Sequence, residues 1–135
     1  MATTVTKIQT LTVNLETKPG ALAQVYTAFA ESGINVISSW AFEMGPGKAQ
    51  GIFHVADVGK AVDVLTKLGM DPRTGTACRA EGDDTIGVYN ELLRKIAAAG
   101  VNLDASDAYG IGGKFAAVFF AEESQQAGLC KALGC

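Results

Sequence analysis

The sequence predicts an α+β protein made of one β-α-β-β-α unit used twice. Three observations lead there. Some stretches alternate apolar with polar residues, the period of a half-buried strand, while others place apolar residues at i, i+3 and i+4, the period of an amphipathic helix. Glycines fall at the boundaries between these stretches, where helices stop and chains turn. The whole order also repeats: Gly20 and Gly87, Gly33 and Gly100, Asn35 and Asn102 stand at one constant offset, close to half of the 135-residue chain. A constant offset across an entire helix marks internal duplication, and copies that pack together usually form a site between them.

Taken in order, Leu11, Val13 and Leu15 alternate with Thr10, Thr12 and Asn14 in a first strand, which Lys18-Pro19-Gly20 breaks. Leu22, Val25, Tyr26, Phe29 and Ala30 then form one stripe of a helix that Gly33 ends. Val36, Trp40, Phe42 and Met44 share a parity in a second strand, so Trp40 and Phe42 are expected in the core rather than as a stacking platform. Gly45-Pro46-Gly47 turns the chain into a third strand, Gln50 to Ala56. The second helix directs Ala61, Val62, Leu65 and Leu68 inward and ends at Gly69, leaving room for a short fourth strand before the copy closes.

The second copy repeats this order. Cys78, Ala80 and Gly82 make a weaker counterpart of the first strand, and Tyr89, Leu92, Leu93, Ile96 and Ala97 rebuild the helical stripe. Leu103 to Ile111 and Phe115 to Ala121 form a hairpin about Gly112-Gly113, and Gln125 to Leu133 form the last helix. The order is that of the ferredoxin-like split βαβ unit, expected here as residues 1–74 and 75–135. In the second unit Gly134-Cys135 leaves no residues for a fourth strand. The strand around Cys78 to Ala80 should therefore lack a neighbour of its own, and an open edge invites a donor. The Met1 to Lys7 arm and residues 70–76 are the candidates.

Composition narrows the function classes. A net charge of −3 without a basic cluster argues against nucleic acid and anionic lipid as partners. No apolar run approaches the roughly 20 residues of a membrane span, and the start of the chain has no export signal, so a cytoplasmic protein is expected. Cys78, Cys130 and Cys135 form no C-x-x-C pair and read as reduced thiols, with no metal or other cofactor expected. His54, the single histidine, reads as structural. Half of 135 residues is marginal as an independent domain, so two fused units sharing a core are expected. Ile52 to Ala56 and Phe115 to Ala121 are apolar on both parities, which implies cover on the sheet face away from the helices and self-association, most simply as a homodimer.

The residues with binding chemistry lie at the entry to each first helix: Thr17, Lys18, Pro19, Gly20, Ala21 and Leu22 in the first copy, and Asp84, Thr85, Ile86, Gly87 and Val88 in the second. A helix N-terminus offers unpaired N–H groups and a positive dipole end, which suits a carboxylate. Glycine lets a ligand approach the backbone without meeting a Cβ. Asn35 and Asn102 open the strand after the helix, and a side-chain amide can address either half of a zwitterion. The plainer reading makes these glycines turn formers and these asparagines cap residues. Likewise Asp83-Asp84 reads as a dipole-complementing cap of the second copy's helix, with binding a second role for Asp84.

Lys18-Pro19-Gly20-Ala21-Leu22-Ala23 followed by Gly33-Ile34-Asn35-Val36 resembles the ACT domain, the small regulatory module that binds amino acids. The resemblance covers nearly the whole chain as two tandem units, good in the first and fair in the second. It implies a non-enzymatic regulator with an effector amino acid held between paired ACT units, near the loop glycine and the asparagine. A likeness to the small regulatory subunits of acetolactate synthase implies a catalytic partner chain. The sequence departs from the family pattern at Thr17, where Asp or Asn is usual, and at Ile86, which replaces the proline. The two sites are therefore expected to differ. The alternatives are a ligand-free assembly module, an RNA binder stacking bases on Phe53 and Phe119 or Phe120, and an acylphosphatase-like enzyme. The last lacks an arginine in either loop.

Overall fold

The strands and helices implied by the periodicity are present in the computed structural model, which describes residues 3–135. In chain order they are β1 (Thr4–Leu15), α1 (Ala21–Glu31), β2 (Val36–Gly45), β3 (Lys48–Val55), α2 (Val58–Lys67), β4 (Arg73–Asp83), α3 (Val88–Ala98), β5 (Ala105–Ile111), β6 (Lys114–Phe120) and α4 (Gln126–Leu133), the last preceded by a 3-10 turn. The strand order is β2-β3-β1-β4-β6-β5. The chain divides into two compact units. One is Gln9–Gly75; the other joins the described residues through Ile8 to Thr76–Cys135. No helix among the described residues is long and apolar enough to cross a membrane.

In the unit Gln9–Gly75, β3 pairs antiparallel with β1 (Leu11 opposite Phe53) and with β2. Leu11, Val13, Phe53 and Val55 point at α1 and α2, where Val25, Phe29, Ala61 and Leu65 complete the core. The Phe53 ring stands edge-on to Phe29, with centroids 5.5 Å apart. It also overlies Gly51, where a Cβ would come within 2.8 Å of the ring, so the strand needs glycine there. The first residues of β4 close the unit: Arg73 donates to the Asn14 side chain at 3.2 Å.

Two expectations fail in this unit. A bulge between Val36 and Ser38 shifts the parity of β2, so that Val36 joins the core while Ser39, not Trp40, stands opposite Phe53. Trp40 and Phe42 therefore pair with Ile52 and Gln50 on the sheet face away from the helices. They are half-buried, their rings 5.5 Å apart, rather than core. Leu68 is also not inward: α2 ends at Lys67, and Leu68 occupies its C-cap, 39% exposed.

In the other unit the weak strand is repaired by its neighbours. Cys78 and Ala80 are fully buried, and β6 sets Phe119 and Ala117 opposite them. Phe115 and Phe119 supply the volume that the small β4 residues lack, and Tyr89 of α3 stacks on Phe119 at 5.7 Å. Leu92, Ile96, Leu129 and Leu133 cover them from α3 and α4. The open edge of β4 is filled by the beginning of β1: Val5 packs on this core, and Ile8 buries itself with Ala77 and Val118. The donor is thus the N-terminal arm, apart from its first two residues, which lie outside the described ones. Val118 is on the second parity of β6, so part of the apolar run expected to need an outside cover is covered within its own unit.

Because Ile8 is 7% exposed, Ile8→Ala should cost roughly 2–5 kcal/mol. Hydrogen exchange should show the loss of protection first in β4 and β6, with β2 and β3 less affected.

Candidate functional site

The two helix entries have the same backbone. After β1 the chain turns through exposed Glu16 to Gly20, with Lys18 and Glu16 paired at 2.8 Å. Gly20 is the N-cap of α1 at φ 87, ψ −5, a left-handed conformation that an L side chain resists, and no side chain caps the helix. The Ala21 N–H donates to the Lys18 carbonyl at 3.3 Å, and the Gln24 N–H to that of Gly20 at 2.9 Å. In the second copy Gly87 caps α3 at φ 87, ψ 0, again without a side-chain cap. There Val88 donates to Thr85 at 3.2 Å and Glu91 to Gly87 at 2.9 Å. At each entry the N–H groups between these bonds, Leu22 and Ala23 or Tyr89 and Asn90, precede the first i→i−4 partner and face the positive end of the helix dipole.

The surroundings of the two loops differ. In the first copy Thr17, Lys18, Pro19, Ala21 and Leu22 line a shallow cleft of about 430 Å3, with Phe42 and Glu43 of β2 opposite them. The first turn of α1 carries no acid, whereas that of α3 carries Glu91. In the second copy the neighbouring cleft, about 450 Å3, is lined by Arg79, Glu81, Asp83, Tyr109, Lys114 and Phe115 and not by residues 84–88. Ile86 is fully exposed.

Neither Asp83 nor Asp84 caps α3, contrary to expectation. Asp83 still belongs to β4, opposite Lys114 of β6, whose ammonium donates to it at 2.7 Å. Asp84 is tied to the hairpin turn: its N–H donates to the Gly113 carbonyl at 3.0 Å, and its carboxylate lies so close to Gly110 that a side chain there would collide with it.

Asn35 and Asn102 are exposed at the far ends of their helices. An 11-residue helix is about 16 Å long, so neither asparagine meets the loop glycine of its own copy. The Asn35 carbonyl accepts from Ala56 and the Asn102 N–H donates to Gln125, both at 3.0 Å. Sequence reasoning missed Ser39 and Ser106, which repeat at the same offset as the glycines. Tyr26 hydrogen-bonds Ser39, and Tyr89 hydrogen-bonds Ser106 at 2.5 Å, each pair joining the first helix of its copy to the following strand. The offset of the two serines was the available signal; the two tyrosines do not repeat at it. The three cysteines, read as separate thiols, converge.

No protein-family model and no curated protein matches the chain. Solved structures do. The regulatory subunit of aspartate kinase from Thermus thermophilus, in a ligand-free form, superposes with a TM-score of 0.69 at 18% identity over 98% of this chain and 94% of that one. The chain has the fold of that regulatory subunit. Protein BT0572 from Bacteroides thetaiotaomicron superposes at 0.81 with 18% identity, covering 94% of this chain and 88% of that one. A structure of aspartokinase alpha and beta subunits superposes at 0.67 with 17% identity, covering 100% and 99%. These likenesses agree with the tandem ACT fold implied by the motifs and lend no support to the narrower likeness to acetolactate synthase subunits.

The Lys114 hydrogen bond, and then its charge, hold the Asp83 carboxyl below the usual carboxylate range, while Asp83 raises Lys114. The sign follows from linkage. The pair's contribution is present at neutral pH, is lost in acid as pH falls through the lowered Asp83 value, and is lost in base as pH rises through the raised Lys114 value. In Lys114→Met, carboxyl NMR should show Asp83 titrating at higher pH than in the parent chain.

Proposed function

We propose that this chain is a non-enzymatic regulator that binds an amino acid at the loop entering α1 and acts beside a separate catalytic subunit. One observation carries the reading: a left-handed glycine cap with no capping side chain, built alike at both helix entries, whose neighbours Pro19 and Ala21 in the first copy line a cleft that Gly20 itself does not. Two N–H groups at a positive helix end bind a carboxylate. The cleft also supplies a counter-charge for the ammonium. Thr17 lacks the acid usual in the family, but Glu43 lines the same cleft from β2. Leu22 and Phe42 leave room for a small or branched aliphatic side chain between them. The second copy binds more weakly in this reading, because Asp84 is engaged with the β5–β6 hairpin.

The fold shared with the aspartate kinase regulatory chains supports a role beside a catalytic subunit. A homodimer belongs to the proposal for a physical reason. Trp40, Phe42 and Ile52 line the sheet face of Gln9–Gly75 away from its helices, an apolar face that a second chain would cover. Sedimentation at micromolar concentration should find a dimer; a strict monomer would contradict this part. The RNA-binding alternative loses Phe53 and Phe119, each 0% exposed, and Phe120 packs partly buried against Ile8, Ala77 and Val118.

A thermal-shift screen of the proteinogenic amino acids tests the core of the proposal, since a specific ligand stabilises by mass action. At least one small or branched aliphatic amino acid should raise the transition temperature, and Thr17→Asp should tighten its binding by roughly fivefold, the worth of a good exposed ion pair. No shift and no calorimetric heat for any amino acid at millimolar concentration would leave the ligand-free assembly module as the better reading. Gly87→Val is a poor probe of the second copy, because valine at φ 87 strains the backbone even with no atom within 4 Å of its Cβ.

A further inference from the structure

Three sulfur atoms from distant points of the sequence meet in the unit built on Thr76–Cys135. Cys78 is fully buried on β4, Cys130 lies on α4, and Cys135 follows the left-handed Gly134 that ends α4. The Cys135 N–H donates to the Cys130 carbonyl at 2.9 Å, which folds residue 135 back over the helix end and delivers its thiol to the other two. Cys78 Sγ stands 3.6 Å from Cys130 Sγ and 3.6 Å from Cys135 Sγ, while Cys130 and Cys135 are 2.9 Å apart. No carboxylate or imidazole belongs to the group, so it is a purely soft donor set.

We propose that Cys78, Cys130 and Cys135 form a three-thiolate site for a soft d10 cation, with zinc as the reference ion. A tetrahedral ion with bonds of about 2.3 Å to sulfur needs its sulfurs about 3.8 Å apart. Two of the three separations are already within a few tenths of an ångström of that. The third opens by moving Cys135, the exposed member. A disulfide between Cys130 and Cys135 would use only that short separation and leave Cys78 without a role. A shared central ion requires near-equal separations among all three sulfurs, and Cys78 already stands 3.6 Å from both partners. The fourth position is left to water or an exogenous ligand on the Cys135 side.

Binding of a divalent ion by three thiols forms three metal–sulfur bonds, breaks three S–H bonds and releases three protons; no redox change is involved. Burial, then the neighbouring thiols, raise Cys78 far above the ordinary cysteine range, and burial raises Cys135 as well. Because each thiol must lose its proton to bind, cation affinity must climb with pH.

The full chain, reduced with a phosphine and stripped of metal, is titrated with cobalt(II) and then zinc. One cobalt per chain should bind with a sulfur-to-cobalt charge-transfer band and the visible bands of a tetrahedral site, zinc should displace it, and protons should be released. Cys135→Ser, at an exposed position, should weaken binding at least tenfold with the fold retained. Cys78→Ala, which keeps a small buried residue, should abolish the charge-transfer band. A reduced chain that takes up no cobalt overturns the proposal, as does an octahedral cobalt spectrum or affinity unchanged in a folded Cys135→Ser. If the reduced chain binds no cation while air joins Cys130 to Cys135, a redox pair replaces the metal site.

Discussion

The open side of β4 governs how this chain is put together. A strand buried on both faces cannot leave a row of backbone N–H and C=O groups without partners, because each unmade hydrogen bond away from water costs on the order of 1–3 kcal/mol. β4 begins in one copy and is the first strand of the other, with β6 on one side of it. Its remaining side is met by β1, a 12-residue strand long enough to serve both units. β1 through Ile8 therefore belongs with Thr76–Cys135, and the rest of β1 with Gln9–Gly75. The pairing also accounts for the small residues on β4: with neighbours on both sides, Cys78 and Ala80 are held by backbone pairing, and rings from β6 and α3 fill the space above them.

The duplication preserved backbone geometry more faithfully than side chains. Gly20 and Gly87 agree in φ and in ψ to within a few degrees, although the residues around them differ at nearly every position. A left-handed cap is a constraint that only glycine meets cheaply, so it persists where charge and bulk drift. What drifted is the environment. One loop faces a cleft bearing Glu43, while the other is drawn onto a hairpin by Asp84. In the proposed reading, identical donors in unlike settings let one copy bind while the other carries structure.

The legible part of the fold was whatever depends on local period and punctuation. The stripe Leu22, Val25, Tyr26, Phe29 and the glycines that end the helices set each element within a few residues, and the constant offset set the topology. Trp40 and Phe42 were misplaced because a single bulged residue reverses every later side chain on a strand, and a bulge leaves no mark in hydrophobic parity. Leu68 was misplaced because a helix stripe does not reveal where its last turn unwinds. The candidate site was legible as residue types, through the loop glycines. Its geometry was not, since the distance between Gly20 and Asn35 depends on the helix lying between them. The convergence of three cysteines could not be read from spacing at all. It rests on β4 and α4 packing on a common core and on one hydrogen bond at the end of α4.

The shared first strand has a consequence for the order of events during synthesis. Thr4–Ile8 is made well before the residues it meets, since its partner strand begins at Arg73 and its packing partner Val118 comes more than a hundred residues later. This segment therefore waits for its partners to be made, and until then it is an unpaired β-forming stretch. Contacts so distant along the chain slow folding, because a long loop must close before they return any stability. Gln9–Gly75, by contrast, has all its own residues once Gly75 has emerged. A growing chain can thus assemble the loop of Gly20 and its cleft while the other half, with its three cysteines, is still being translated.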